Sequence, residues 1–411
     1  MSSNPETPVR KRRVFYIPGY DPIHPRRYRE LYRKEGAEQA RVSGYEIALS
    51  PGKSGGRYGW HVEGVIDART VEADFEVLVW SDIVRDSMEQ GIAQTYLQLM
   101  RTAWTYISSG ALFRLMRLRK GPVIAALYPV VFLLVQLLVA LALAAGVIWA
   151  GRAMLVPVLG LAGALASWAV AFGLFLGLLH WFKSKDNKLF AYYLMHDYAY
   201  SAQSKGANPP ELEARMAEFT AEIAEALTQG SDEVLVVGHS SGAHLGVSIL
   251  ADLIRAGQLP DNGPALSFLT LGQVVPMVSF LRDAHRLRAD LHYLSTRDEL
   301  TWVDVTAPGD GCAFALCDPV SVSTHPPEGK RWPLVISAAF TQTLSPERWK
   351  ALKRRFFRLH FQYLCAFDRP GDYDYFQITA GPLTLGDRYA GRTPSPSRIE
   401  ATVNKYPGIA S

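Results

Sequence analysis

Residues 233–254 leave this chain little choice of local structure. Val234, Leu235, Val236 and Val237 form an unbroken apolar run, the pattern of a buried strand. The run ends in Gly238-His239-Ser240-Ser241-Gly242, and small and apolar residues then recur at helical spacing to Ile254. The pattern predicts a strand, a sharp turn with Ser240 at its tip, and a helix. Gly238 and Gly242 suit that turn, because strand and helix backbones nearly touch there and a side chain would clash. Such a nucleophile elbow lifts a serine hydroxyl clear of a sheet and points a helix N-terminus toward it.

The bare pattern G-x-S-x-G arises by chance in roughly one chain in ten of this length. This chain contains a second copy, Gly52-Lys53-Ser54-Gly55-Gly56. Arg57-Tyr58-Gly59-Trp60-His61 follows it, which is no helix. It also lacks the upstream glycine of a phosphate-binding loop. The second copy reads as a glycine-rich surface loop, and the context around Ser240 supports the first.

Two uncharged runs constrain the chain on a larger scale. One covers residues 121–151 and the other 153–182, with His180 as the only titratable group in the second. Each exceeds the roughly 20 apolar residues needed to cross a bilayer. Tyr128, Trp149, Trp168, Trp181 and Phe182 sit toward several of the ends, as interfacial anchors do. The pattern predicts a transmembrane hairpin with spans at about 123–149 and 154–180. Arg114, Arg117, Arg119 and Lys120 precede it, and Lys183, Lys185 and Lys188 follow it, with Arg152 alone between the runs. Positive residues stay cytoplasmic, so the flanks, both termini and the soluble domain are expected on the cytoplasmic face, at the inner or plasma membrane in a bacterium. An even number of crossings also lets strands before and after the hairpin join one sheet.

Composition excludes several classes. The chain has 411 residues and a net charge of +4, with no basic stripe interleaved with aromatics, so no nucleic-acid partner is expected. Cys312, Cys317 and Cys365 are too few and too irregularly spaced for a disulfide framework or a metal cluster. No cofactor motif and no metal site are expected. Residues 1–8 are polar, Arg10-Lys11-Arg12-Arg13 follows, and no apolar run suggests a cleavable leader.

The organisation expected in chain order is a basic tail (1–13), the first part of an α/β domain (14–118), the hairpin (119–183), the second part with the elbow (184–386) and a polar, loosely ordered tail (387–411). Strands are predicted at 14–17, 45–49, 60–66, 75–80, 234–237, 265–271, 300–306 and 334–340. Residues 280–294 read as an exposed charged helix, and 343–358 as a basic one.

A serine hydroxyl is a weak nucleophile and needs a base, which in turn needs a carboxylate to orient and stabilise it. In enzymes built on this elbow the chain order is serine, acid, histidine, so both partners should follow residue 240. Asp310 lies in a Pro-Gly turn after the predicted strand 300–306, where the acid belongs; Asp298 is the alternative. Asp304 falls inside that strand. His360 follows the last predicted strand and is the favoured base, with His325 the alternative. His239 and His244 flank the elbow without fitting the base role. The N–H groups of Tyr20, after a strand ending in Pro18-Gly19, and of Ser241 are the candidate oxyanion donors.

With these pieces in place, the chain resembles the serine α/β-hydrolases of the esterase/lipase kind. The resemblance is carried by Ile17-Pro-Gly-Tyr20, Val236-Val-Gly-His-Ser-Ser-Gly-Ala243, Phe268-Leu-Thr-Leu-Gly272, Trp302-Val-Asp-Val-Thr-Ala-Pro-Gly-Asp310 and His360-Phe-Gln-Tyr363. It implies an eight-stranded, mostly parallel sheet with helices on both faces, and a Ser240–His360–Asp310 triad that cleaves an ester or thioester through an acyl-enzyme. The expected partners are the bilayer and a small-molecule or lipid-derived ester. The hairpin departs from the usual place for a lid in that family. Two other readings stand beside hydrolysis: an acyltransferase using the same acyl-enzyme, and a non-catalytic membrane scaffold on the same fold.

Overall fold

The computed structural model describes residues 8–52 and 58–410, so Ser54 and its Gly-rich loop lie outside the described residues. The strands are β1 (Lys11–Ile17), β2 (Glu46–Pro51), β3 (Gly59–Ile66), β4 (Arg69–Val77), β5 (Glu233–His239), β6 (Ala265–Leu271), β7 (Leu300–Thr306) and β8 (Leu334–Ser337). They form one sheet in the order β2-β3-β4-β1-β5-β6-β7-β8. β3 runs antiparallel to both β2 and β4, and every other pairing is parallel.

The sheet is covered on both faces, which is why its central strands read as continuous apolar runs. Along β1, Val14 and Tyr16 enter one core cluster while Phe15 and Ile17 enter the other. α1 (Arg26–Ser43) and the chain after residue 334 cover the first face. The second is covered by α6 (Pro210–Ala226), α7 (Gly242–Arg255) and α8 (His285–Leu294). All seven residues of β5 are buried.

Between β4 and β5 the chain leaves the sheet. α2 (Ile92–Ser108) leads to two long apolar helices, α3 (Lys120–Met154) and α4 (Val156–Ser184), separated by Leu155 alone. α3, at 35 residues, is about 52 Å long, and α4, which is kinked at Gly160 (φ +53°), runs about 36 Å from Leu161 to Ser184; both exceed the roughly 30 Å of a bilayer's hydrocarbon core. Only 22% and 17% of their most apolar windows are buried. Both are long and apolar enough to cross a membrane. They meet through small residues: a Cβ on Gly151 would lie 1.9 Å from the Ser167 hydroxyl oxygen. α5 (Ala191–Gln203) then returns to the domain and packs Ala191 and Met195 with Leu99 of α2 and Leu133 of α3. The chain is thus an α/β protein with an eight-stranded, mostly parallel sheet and an inserted pair of long apolar helices.

Some local expectations change. α8 starts only at His285 and is half-buried. Arg288 is fully buried because its guanidinium donates to the carbonyls of Ser279, Leu281 and Gly408. The predicted basic helix breaks into Pro346–Leu352 and α9 (Phe356–His360). The last strand stops at Ser337, before Ala339 takes a left-handed conformation. The polar tail is packed rather than loose: the Asn404 amide donates to the carbonyls of Ser279 and Ser323.

Candidate active site

β1 and β5 are parallel neighbours, with Ile17 opposite Gly238. Their C-terminal ends therefore deliver two loops to one place. After β5 the backbone turns at Ser240, which has φ +56°. A non-glycine residue held in that region costs roughly 1–3 kcal/mol, and its surroundings must hold it there. They do: the Ser240 N–H donates to the Leu271 carbonyl at 2.9 Å, and its own carbonyl accepts from the Ala243 N–H at 3.1 Å. A Cβ on Gly242 would fall 2.1 Å from the Ile17 carbonyl oxygen, and one on Gly238 2.7 Å from the Gly242 carbonyl oxygen. The helix start and strand end can touch only because both residues lack side chains.

Gly19 meets the serine from the other loop. A Cβ there would sit 3.0 Å from the Ser240 Cβ and 3.4 Å from its Oγ. The loop is pinned by the Trp80 indole N–H on the Pro18 carbonyl and by the Tyr193 hydroxyl on the Tyr20 carbonyl. Among the described residues, neither the Tyr20 nor the Ser241 N–H donates to any protein acceptor. Both residues line the cavity around Ser240.

His360, at the end of α9, reaches the same cavity. Its Nδ1 is 2.7 Å from Oδ2 of Asp310. That carboxylate also accepts from the Tyr363 hydroxyl at 3.0 Å and the Cys312 N–H at 2.9 Å. The Tyr363 hydroxyl in turn accepts from the Ala307 N–H. Burial alone would push the Asp310 carboxyl up; the charge of His360 and these donors outweigh it and hold the group below its usual range. An ionised Asp310 fixes the proton of His360 on Nδ1 and leaves Nε2 to exchange a proton with a hydroxyl. His239 stacks beside this ring, with centroids 4.9 Å apart. Its Nε2 donates to the His360 carbonyl at 3.1 Å. Burial and the nearby His360 charge lower its pKa to about 3, so it stays neutral.

The cavity has two lobes, about 620 and 560 Å³, both within the range of small-ligand sites. Ser240, His360, Asp197, Phe190, Leu194 and Phe357 line both lobes and mark where they meet. Pro122, Ala125 and Tyr128, in the first turns of α3, wall the larger lobe. Gly19, Tyr20 and His239 wall the other.

Asp310, Cys312 and His360 have ligand atoms within 4.8 Å of one another. They do not suit a metal ion. An ion about 2 Å from each ligand would hold a nitrogen and an oxygen roughly 3.3 Å apart, whereas His360 and Asp310 are at direct hydrogen-bond distance. The Cys312 thiol is pushed well up by burial and by the nearby Asp310 charge, which disfavours the thiolate a metal needs.

The structure brings Ser240, His360, Asp310, Tyr20, Ser241 and His239 together. It keeps the two alternatives away from the cavity walls. Asp298 is exposed and pairs with Arg331 at 2.5 Å, and His325 is exposed after Thr324. Asp304 is buried and accepts from the Thr270 hydroxyl at 2.6 Å. His244 is buried and lines neither lobe. Sequence reasoning missed Tyr363, three residues beyond His360, as the second donor to Asp310. It also missed Asp197, on α5, and Phe190, the residue that caps its N-terminus, both of which line the cavity with the serine. No known protein family, curated protein or solved structure matches this chain.

Proposed function

We propose that this protein is a membrane-attached serine hydrolase of the α/β-hydrolase kind, cleaving a carboxylic ester or thioester. The observation that carries the reading is the His360–Asp310 pair in one cavity with a serine held at positive φ. Ser240 Oγ attacks the acyl carbon, and its proton passes to Nε2 of His360. The carbonyl oxygen gathers negative charge against the Tyr20 and Ser241 N–H groups. The leaving alcohol or thiol departs with the proton from His360. Water then attacks the acyl-enzyme, giving its proton to His360, and Ser240 recovers a proton as the carboxylic acid leaves.

The long apolar hairpin supports attachment to a bilayer, and its basic flanks support a cytoplasmic catalytic domain. Three residues at the foot of α3 wall the cavity, which favours lipid-derived esters over soluble ones. The test is fluorophosphonate labelling and p-nitrophenyl ester turnover by the full chain in detergent. Wild type should label and turn over, and Ser240→Ala should do neither. Labelling retained in Ser240→Ala would end the assignment.

A further inference from the structure

The segment that delivers His360 reads Lys353-Arg354-Arg355-Phe356-Phe357-Arg358. All six residues are exposed. Arg354, Arg355 and Arg358 line the larger lobe, together with Lys188 from the foot of the hairpin. None of these four cations makes an ion pair among the described residues, although pairs are frequent elsewhere on this surface. Phe190, Phe356 and Phe357 stand among them, 42, 55 and 39% exposed. They are held in place: Phe190 and Phe357 have ring centroids 5.6 Å apart, and the ring of Phe356 lies 3.1 Å from where a Cβ on Gly311, in the acid loop, would be.

Four unpaired cations interleaved with exposed aromatics fit an interface where one side is apolar and the other carries negative charge. The same rim is where α3 begins, and Pro122, Ala125 and Tyr128 form one wall of the lobe behind it. Among the described residues the only carboxylate lining that lobe is Asp197, at its junction with the second lobe beside Ser240 and His360. The cavity is therefore cationic at its rim and walled largely by apolar and aromatic side chains within. That charge profile accepts an amphiphile with its anionic group held outside and its ester reaching in.

We propose that the substrate is an acyl ester of a net-anionic, phosphate-bearing membrane lipid, whose phosphate is held at the rim by Arg354, Arg355, Arg358 and Lys188 while its ester carbonyl reaches Ser240. This rests on the hydrolase reading above. The bilayer is the source of the lipid, and the hairpin holds the rim at its surface.

The experiment uses the full chain reconstituted in vesicles of phosphatidylglycerol, of phosphatidylcholine, or of phosphatidylcholine doped with diacylglycerol, all with the same acyl chains. Fatty-acid release is measured per Ser240 labelled by fluorophosphonate. A fourth arm uses short-chain phosphatidylglycerol below its micelle concentration. Wild type should cleave the phosphatidylglycerol vesicles roughly tenfold faster than either other vesicle, the scale of one charge-assisted hydrogen bond. The preference should shrink with added salt. In Arg354→Gln/Arg355→Gln/Arg358→Gln the ratio should fall toward one, mainly through KM, and Arg→Lys replacements should restore part of it. Labelling and turnover without a headgroup preference overturn this proposal and leave the hydrolase reading intact. A preference confined to the monomeric substrate overturns the bilayer as source. An unlabelled wild type removes the hydrolase reading itself.

Discussion

Asp310 and Asp197 both lie near His360, Asp310 fully buried and Asp197 half-buried in the cavity wall, and they differ in their partners as well. Asp310 has three donors: the His360 imidazole, the Tyr363 hydroxyl and the Cys312 N–H. Asp197 lines the cavity with no hydrogen-bond donor or ion pair among the described residues. Burial pushes both carboxyls up. Donors and the His360 charge bring Asp310 back below its ordinary range, whereas Asp197 stays up at about 7, with His360 only partly offsetting its burial. The more deeply buried of the two is the one whose carboxyl is held low, so the donors, rather than the burial, decide which carboxylate can orient a histidine. The chain has built such a shell around one aspartate and left the other as an uncommitted acid beside the serine.

The most forceful way to break this contrast is Asp310→Asn. It keeps the shape and loses the charge that fixes the His360 tautomer, so kcat on a p-nitrophenyl ester should fall on the order of 10⁴-fold. Asp298→Asn, at the exposed pair with Arg331, should stay within about twofold. Comparable losses at 310 and 298 would mean that the triad is misassigned. Tyr363→Phe sharpens the same point. It removes one donor from a charged acceptor and leaves the Ala307 N–H unpaired, so kcat should drop roughly tenfold. The activity should also fall away at a higher pH on the acid side, because Asp310 then protonates more readily.

The smallest effect is expected at Asp197→Asn, and stability reads it best. The folded-state pKa of about 7 lies above the ordinary value near 3.9. The protonated carboxyl thus contributes stability that is fully present below about pH 4 and is lost as pH rises through about 7. Wild-type melting temperature should decline across that window, and Asp197→Asn should lessen the decline, with a gap of a few degrees at pH 8 that closes at pH 4. A gap of the same size at both pH values would show that Asp197 does not carry a perturbed ionisation.

The parts of the site written into adjacent residues were legible in the sequence. The elbow could be read because an apolar run, two glycines and a helical pattern follow one another without a gap. Asp310 could be read because a Pro-Gly turn marks the end of β7. His360 needed only chain order. Tyr363 stood in plain view, but a tyrosine three residues past a histidine has no signature until α9 and the short turn after it fold back on the acid loop. Asp197 and Phe190 reach the serine only because α5 docks across the sheet's C-terminal edge. That placement depends on packing against α2 and α3, which no local pattern encodes. The misreading of residues 280–294 has the same origin. A charged helix looks exposed until the Gly408 carbonyl from the distant tail, with those of Ser279 and Leu281 just before the helix, turns out to satisfy Arg288.

The position of β1 has a consequence in time. β1 pairs with β5 at the centre of the sheet, and the buried Arg12–Glu233 ion pair that joins them spans 221 residues. At translation rates of roughly 5–20 residues per second, about 10–45 s separate the appearance of the two partners. Throughout that interval β1 is an edge, with an open row of backbone donors and acceptors and no partner on one side. Arg12 sits on that edge, and a charge on an open edge discourages pairing with a foreign strand. Only when β5 arrives does Glu233 neutralise it, and the Gly381 and Leu383 carbonyls, made later still, then accept from its guanidinium as well. Both apolar helices are made within the same interval. The half-built domain must therefore wait, and the last step of its assembly draws the first strand, the middle of the chain and residues near 381–383 together around one arginine.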